Sequence, residues 1–485
     1  MARRVIYIIL IMIFLMNILS QTLWAQENHS FDNEKIDKFI KDYLARNGLP
    51  GASIVIVKNG EVQYKQGYGN DSNGKSITER SPMRIGSVSK SFTSLAVLQL
   101  IEKRKVNLDD KIVEHIPEVK MNDSRWSNVT IRQLLSHTSG LPNPTIVKPA
   151  DNLQESVDRL NDWELKSTPG KHHAYSNVNY WVLAYLVEKV SKEPFKKYMN
   201  KNVFRPVNMK NSFIISNSEH SSEQLPKGHV TAYGQAIPWD EMTRMDLGAG
   251  GVVTTAEDMG KWLAMQTNNG VSSSNQRVIS RKLLNESQSA QPGSGKYGLG
   301  WSLNYDNDNL KRIKHSGVDT GYQAQQDIDT DSGYAIAVLL NSNTSTYEHA
   351  YDLSSGVIKL VKNKKPEVSQ PIPTIVDYVI GTITLIYFSL GIRRIIKVKD
   401  QANKHFYSSM LLFYLNFIPQ LAAILGIGWF LFYVPTIQSN SSTTLDIFGI
   451  YPALMILLAT IFAIEITLVT VKVYYRKKLN SKRKE

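Results

Sequence analysis

Three apolar runs dominate the C-terminal quarter of the chain: Ile375–Ile392, Met410–Val434 and Ile447–Val471. At 18 to 25 residues each, they are long enough to cross a hydrocarbon core of about 30 Å as helices. No water reaches backbone N–H and C=O groups in a bilayer, so such a run must satisfy them internally, as an α-helix. The flanks are asymmetric. The 393–405 loop carries five Lys or Arg against one Asp, and the 472–485 tail seven against one Glu, while Pro435–Asp446 carries neither Lys nor Arg. Basic loops stay cytoplasmic. The pattern predicts a multi-pass cell-membrane protein with a cytoplasmic C-terminus and an extracytoplasmic domain before Ile375. Ten of the thirteen net positive charges lie in those two basic segments, so the charge reads as a topology signal, and no nucleic-acid motif accompanies it. The other end agrees. Arg3-Arg4, the apolar run Val5–Leu19 and the stretch Ser20–Ala25 have the three parts of a signal peptide, expected to span 1–25, with a retained anchor helix as the alternative. Asp377 and Glu465 fall inside predicted spans. Asp377 reads as interfacial and Glu465 as deeper, and three spans without a repeat read as an anchor or a helix-packing platform, with the lipid bilayer as partner and homo-oligomerisation through the spans open.

Residues 26–361 are expected to form one exported domain, with 362–374 as a Lys- and Pro-rich linker. A hydrophobic content of 42% with 9% aromatics is that of a chain with enough apolar surface to fold. The absence of cysteine excludes disulfides, thiolate catalysis and thiolate metal sites. Ala52–Val57, Asn59-Gly60 and Val62–Tyr68 read as a hairpin. A helix is expected over 87–103, with Phe92, Leu95, Ala96, Leu98 and Ile101 on its apolar positions, and another over 178–190. Gly298–Leu303, Arg312–His315, Gln323–Ile328 and Tyr334–Leu340 read as strands, and His349–Val361 as a closing helix. Strands at both ends around a helical middle predict an α+β domain: one antiparallel sheet assembled from both termini, flanked by helices.

Three short motifs carry the chemistry. Ser87-Val88-Ser89-Lys90 is an S-x-x-K tetrad at a helix start. A spacing of three puts Ser87 and Lys90 on one helix face, where the amine can take the hydroxyl proton and make Ser87 a nucleophile. Tyr175-Ser176-Asn177 follows Pro169-Gly170 and opens a helix; its tyrosine can relay a proton and its asparagine amide can orient a carbonyl. Taken alone, the same triplet also reads as helix capping. His315-Ser316-Gly317 is expected at the end of a short strand, where an extended substrate can pair. A competing triplet, His137-Thr138-Ser139-Gly140, follows a helix and reads as a structural turn. His172-His173 are adjacent and lack spaced carboxylate partners, so they read as loop residues. No cofactor or metal is expected.

The order and spacing of these motifs resemble the penicillin-binding-protein and β-lactamase superfamily of serine hydrolases, closest to its class C-like branch, with Tyr-x-Asn as second motif and His for Lys in the third. The resemblance covers roughly Phe31 to Val361. It extends to Arg84-Ile85-Gly86, Leu134–Leu141 and Gly250–Met259. It implies a β-lactamase/transpeptidase-like sheet with a helical insert domain, followed here by three transmembrane helices. It implies Ser87 as the acyl-enzyme nucleophile, Lys90 as base and Tyr175 as partner in proton transfer. The backbone N–H groups of Ser87 and Val318 would form the oxyanion hole. Asn177, His315, Ser316 and Gly317 would hold the substrate.

The signal, the exported hydrolase and the three-helix tail also resemble prodrug-activating D-asparaginyl peptidases of nonribosomal peptide pathways. That likeness implies a small peptide, acyl-amino-acid or ester substrate, with His229 as a candidate leader contact. Arg84 departs from it, because those peptidases carry an acidic group three residues before the serine. His315 in place of lysine removes a permanent charge that would pair with a substrate carboxylate, which weakens the β-lactamase and carboxypeptidase readings and favours esterases and aminopeptidase-like members. A peptidase or amidase for N-acyl or D-amino-acid-containing peptides is the expected activity, with a carboxylesterase or β-lactamase-like hydrolase as the alternative. A non-catalytic cell-wall-fragment sensor is the reading from another class, and the three intact motifs argue against it.

Overall fold

The structure is a computed structural model that describes residues 31–482 other than 145–149, 151, 216–224, 240–246, 345–346, 368–369, 405–414, 416, 434–447 and 450. The expected signal peptide, the start and last residue of the middle apolar run and the whole of Pro435–Asp446 lie outside the described residues.

The domain opens with α1 (Asn33–Asn47), capped by Asp32, whose side chain accepts from the amides of Glu34 and Lys35. The hairpin β1 (Gly51–Lys58) and β2 (Glu61–Gly69) follows. Its turn residues Asn59 and Gly60 have φ of 52° and 81°, the left-handed pair that lets a two-residue loop match strand twist. Next come β3 (Met83–Arg84), a 3-10 turn over Gly86–Val88 and α2 (Ser89–Glu102). A helical insert includes α3 (Asn177–Ser191). Then follow β4 (Phe213–Ile214), the hairpin β5 (Gly228–Ala232) and β6 (Gln235–Trp239), β7 (Val252–Thr254) and α4 (Ala256–Thr267). The domain ends with β8 (Ser302–Asp306), β9 (Asn309–Asp319), β10 (Tyr322–Asp329), β11 (Tyr334–Leu340), β12 (Ser342–Asn343) and α5 (His349–Val361).

The main sheet has the order β2-β1-β11-β10-β9-β8 and is antiparallel throughout. Its two halves meet where Ala52 faces Leu340 and Lys58 faces Tyr334, the closure between chain ends that the sequence pattern predicts. β11 is buried along its whole length, because both sheet faces are covered. Ala335, Ala337 and Leu339 point into a core with α2, α3 and α4, and Tyr334, Ile336, Val338 and Leu340 into one with α1 and α5, as the period of two dictates. α2 is buried from Ser89 to Leu100. Its Phe92 stacks on Trp262 of α4 with ring centroids 3.9 Å apart.

Two strand boundaries differ from expectation. Of Gly298–Leu303 only Ser302 and Leu303 lie in β8, because Gly300 turns at φ 81° and a Cβ there would come within 3.0 Å of the Lys90 carbonyl. His315 lies well inside the 11-residue β9, not at the end of a short strand.

In the C-terminal region α6 (Ile372–Lys404), α7 (Ile418–Gly428) and α8 (Pro452–Lys482) follow. Ile372–Gln401 and Pro452–Ser481 are long and apolar enough to cross a bilayer, whereas the described helical part of the middle run, Ile418–Leu431, is shorter. The basic segment expected as a loop continues α6 to Lys404, since no Gly or Pro interrupts it after Gly391. Glu465 is not alone. It accepts from Tyr387 Oη and from Arg394 Nη1 at 2.9 Å, both on α6. Asp377, expected to be solvated, instead accepts at 3.0 Å from the backbone N–H of Tyr233 at the β5–β6 tip. Tyr233 and Gly234 there have φ of 53° and 71°, and Trp239 stacks on Phe448 at 5.5 Å, so this hairpin ties the domain to the apolar helices.

Candidate active site

The 3-10 turn before α2 holds Ser87 half-buried, and Gly86 makes the turn possible with φ 46°. A Cβ on Gly86 would lie 2.6 to 2.8 Å from the O, C and N atoms of Val318, and one on Gly317 would lie 1.9 Å from the Ile85 carbonyl oxygen. The turn and β9 thus touch backbone to backbone, which only glycine permits, and the peptide of Ser87 is drawn alongside that of Val318. Val318 itself is 47% exposed, so this edge opens to solvent.

One turn into α2, Lys90 is fully buried. Its Nζ lies 2.9 Å from Ser87 Oγ, 2.8 Å from Asn177 Oδ1 and 2.9 Å from the Ala249 carbonyl. Asn177 begins α3, where Ser176 is the N-cap and its side chain accepts from the Val178 amide. The Asn177 amide is held by Asn143 Oδ1 at 3.0 Å. Tyr175, 37% exposed, places its ring centroid 4.9 Å from Lys90 Nζ. Ser87, Lys90, Tyr175, Asn177 and the β9 edge are therefore brought together.

His315 is 4% exposed and its two ring nitrogens are occupied. Nδ1 donates to the Ser316 carbonyl at 2.7 Å, and Nε2 accepts from Tyr297 Oη at 2.9 Å. Burial, then the charge on Lys90, holds its pKa down at about 3. Burial likewise holds the Tyr297 phenol far above its ordinary range. His315 is thus a neutral brace in the wall. Ser316 Oγ donates to Gln325 Oε1 at 2.7 Å. His229 on β5 is buried, with Nδ1 donating to the Asn341 carbonyl at 2.9 Å. Its backbone N–H reaches Gly321, in the turn that follows Val318.

Sequence reasoning missed three supports. The Ala249 carbonyl is delivered by a glycine-dense segment in which Gly248 and Gly251 have φ of 88° and 83°, and Leu247-Gly248-Ala249-Gly250-Gly251 was the available signal of close backbone approach. Tyr297 carries no local signal. His137 was read as a turn residue, and it does turn, at φ 57°, but it lies under Tyr175 with ring centroids 4.3 Å apart.

A two-core antiparallel α+β domain with an S-x-x-K pair at the head of its central helix defines a β-lactamase/transpeptidase-like protein. The sequence model of the Beta-lactamase family matches residues 36–355, and the chain belongs to that family. It is 30% identical over 321 residues to Protein flp of Staphylococcus aureus strain MRSA252, covering 64% of this chain and 63% of that protein. Among solved structures, an octameric penicillin-binding protein homologue from Pyrococcus abyssi superposes with a TM-score of 0.58 at 24% identity, over 70% of this chain and 79% of its own. EstCE1, described as a hydrolase with promiscuous acyltransferase activity, superposes with a TM-score of 0.57 at 19% identity, over 66% and 96%.

Proposed function

We propose that the chain is a membrane-anchored extracytoplasmic serine hydrolase working through an acyl-enzyme on Ser87. The observation that carries this reading is the surroundings of Lys90 Nζ, which meets Ser87 Oγ and two fixed carbonyl oxygens within 2.9 Å. A neutral amine has two N–H donors and one lone pair. Asn177 Oδ1 and the Ala249 carbonyl can only accept, so they take the two donors, and the lone pair is left for the Ser87 hydroxyl proton.

Lys90 accepts that proton as Ser87 Oγ bonds to the substrate carbonyl carbon. The resulting oxyanion sits between the Ser87 and Val318 amides. Collapse breaks the bond to the leaving group, which leaves with a proton passed from Lys90 through Tyr175. Water then adds to the ester, its proton returns to Lys90 or Tyr175, and Ser87 is released. Asn177 and the Ser316-Gly317 edge orient the substrate.

The substrate we favour is an amide in a D-amino-acid-containing or N-acyl peptide, cleaved by a peptidase or amidase. A second reading, carboxylesterase, is favoured by the neutral, fully partnered His315, which offers no cation to a substrate carboxylate. Arg84, 3.9 Å from Asp319, sets this chain apart from an acidic leader site. The apolar helices α6 and α8 and their basic ends support the membrane anchor and the outward-facing domain. The test is labelling of the full-length protein with a fluorescent fluorophosphonate. Ser87 is expected to carry the adduct, and Ser87→Ala to carry none. Equal labelling of the two proteins would defeat the reading.

A further inference from the structure

His137 is heavily engaged. Its carbonyl accepts from the Ala174 amide at 2.8 Å. Its Nδ1 lies 3.2 Å from the Ser176 amide and 2.9 Å from Asn179 Nδ2. The amide of Asn179 is oriented by Ser139 Oγ, which donates to Asn179 Oδ1 at 2.5 Å, so the nitrogen faces the ring. Two donors converge on Nδ1, which can therefore carry no proton, and the proton belongs to Nε2. That nitrogen is fully buried and has no hydrogen-bond partner among the described residues.

An unsatisfied buried N–H costs about 1–3 kcal/mol, and a histidine in the left-handed region adds backbone strain. A turn whose only task is to reverse the chain needs neither. The ring lies against Tyr175 at 4.3 Å, and Tyr297 and Tyr180 approach at 4.9 and 5.3 Å. The segment it grips, Ala174 to Asn179, contains both Tyr175 and Asn177. Burial, then the charge on Lys90, lowers its pKa well below the ordinary histidine value, which favours the neutral acceptor form.

We propose that His137 is a positioning residue for the acyl-transfer step: it holds the Tyr175 phenol in register with Ser87 and Lys90 by clamping the 174–179 backbone from below. This rests on the serine-hydrolase reading above, with Tyr175 as the proton-transfer partner.

The test uses the full chain in detergent and follows fluorophosphonate labelling of Ser87 together with kcat and KM on p-nitrophenyl butyrate. His137→Phe keeps an aromatic ring under Tyr175 but removes the acceptor. His137→Asn keeps an acceptor near Nδ1 but removes the ring. With His137→Phe, labelling and kcat are expected to fall by about 10- to 100-fold, the range for loss of positioned proton transfer, with KM within about twofold. His137→Asn is expected to recover most of the labelling rate. In a Tyr175→Phe background, His137→Phe should cost less than about twofold, because the residue it positions is gone. Wild-type labelling in His137→Phe, or a full additive loss in the Tyr175→Phe/His137→Phe double variant, overturns the proposal. Should His137→Phe not fold, His137→Ala replaces it in both backgrounds, and an equal fold-loss in the two overturns the proposal. Failure of the wild-type protein to label at Ser87 would instead remove the hydrolase reading on which the proposal stands.

Discussion

Two buried ionisable side chains, one in the cleft and one between the apolar helices, are held by opposite means. Glu465, with its side chain 5% exposed, is matched by a countercharge: Arg394 Nη1 is 2.9 Å away and Tyr387 adds a hydroxyl donor. Lys90, fully buried, meets at similar distances three neutral oxygens, those of Ser87, Asn177 and Ala249. A carboxylate opposed by a guanidinium is paired charge to charge, and removing one partner strands the other in a low dielectric. An amine facing neutral acceptors is stabilised in either state, since two of its contacts survive the loss of a proton. The first arrangement pins two helices; the second can exchange a proton with a hydroxyl. On the proposed reading, what separates the helix-pairing carboxylate from a base is the charge of the partners rather than the depth of burial.

The largest expected effect tests the second half of that contrast. In Lys90→Met, the rate of Ser87 labelling and kcat should fall by about 10³-fold or more, toward the upper range of general-base contributions. The melting temperature should change little. Removing the amine relieves its desolvation cost while leaving Asn177 Oδ1 and the Ala249 carbonyl short of a donor, and the two terms oppose. A collapse of stability alongside activity would make Lys90 a structural cation like Arg394 and would erase the distinction.

How much of this was legible beforehand follows from the range of the interactions. The Asn59-Gly60 hairpin, the helix after Ser87 and the closing strands are local patterns of period two or three to four, and they emerge at nearly the expected residues. The spacing puts Ser87 and Lys90 on one helix face, but by itself it reads equally as a solvated helix start, and the contact needed the other two motifs to stand out. The Ala249 carbonyl, Tyr297 and His137 were not, because they reach the site from 159, 207 and 47 residues away from Lys90 along the chain, and only folding gives them a common address. Glu465 likewise looked solitary until α6 supplied Arg394 from 71 residues upstream. His315 shows the converse limit. Its motif drew attention to it, but the motif could not say that both nitrogens turn inward to Ser316 and Tyr297.

Acid provides the next test. His137, His315 and His349 are all held below their ordinary pKa, chiefly by burial, with His315 at about 3 and His349 at about 4. In the unfolded chain each binds a proton near pH 6.5, whereas the folded domain does not, so the unfolded state carries more protons between about pH 6.5 and pH 4. Stability must then rise with pH in that window and be lost on acidification. His315 and His349 together should cost about 1.4 kcal/mol on going from pH 7 to pH 6, with His137 acting in the same direction, measured by urea titration followed through tryptophan fluorescence. A flat profile there would mean that these rings protonate in place. Activity per folded molecule should show no step from His315 above about pH 4, as its pKa of about 3 requires.

The smallest effect belongs to the helix pair. Arg394→Met leaves Glu465 buried with one donor fewer, and breaking a fully buried pair costs about 3–5 kcal/mol. The Arg394 side chain is 47% exposed, so water screens much of that, and about 1–2 kcal/mol is expected. Arg394→Met combined with Glu465→Gln should recover most of the loss, because no uncompensated carboxylate remains. Both proteins should label Ser87 at the wild-type rate, since the pair belongs to α6 and α8 and touches nothing in the cleft. A loss of labelling in Arg394→Met that Glu465→Gln restores would break the contrast from the other side. It would mean that the β5–β6 hairpin, fastened to α6 through Asp377 and reaching the turn beyond Val318 through His229, transmits strain from the helices into the oxyanion edge.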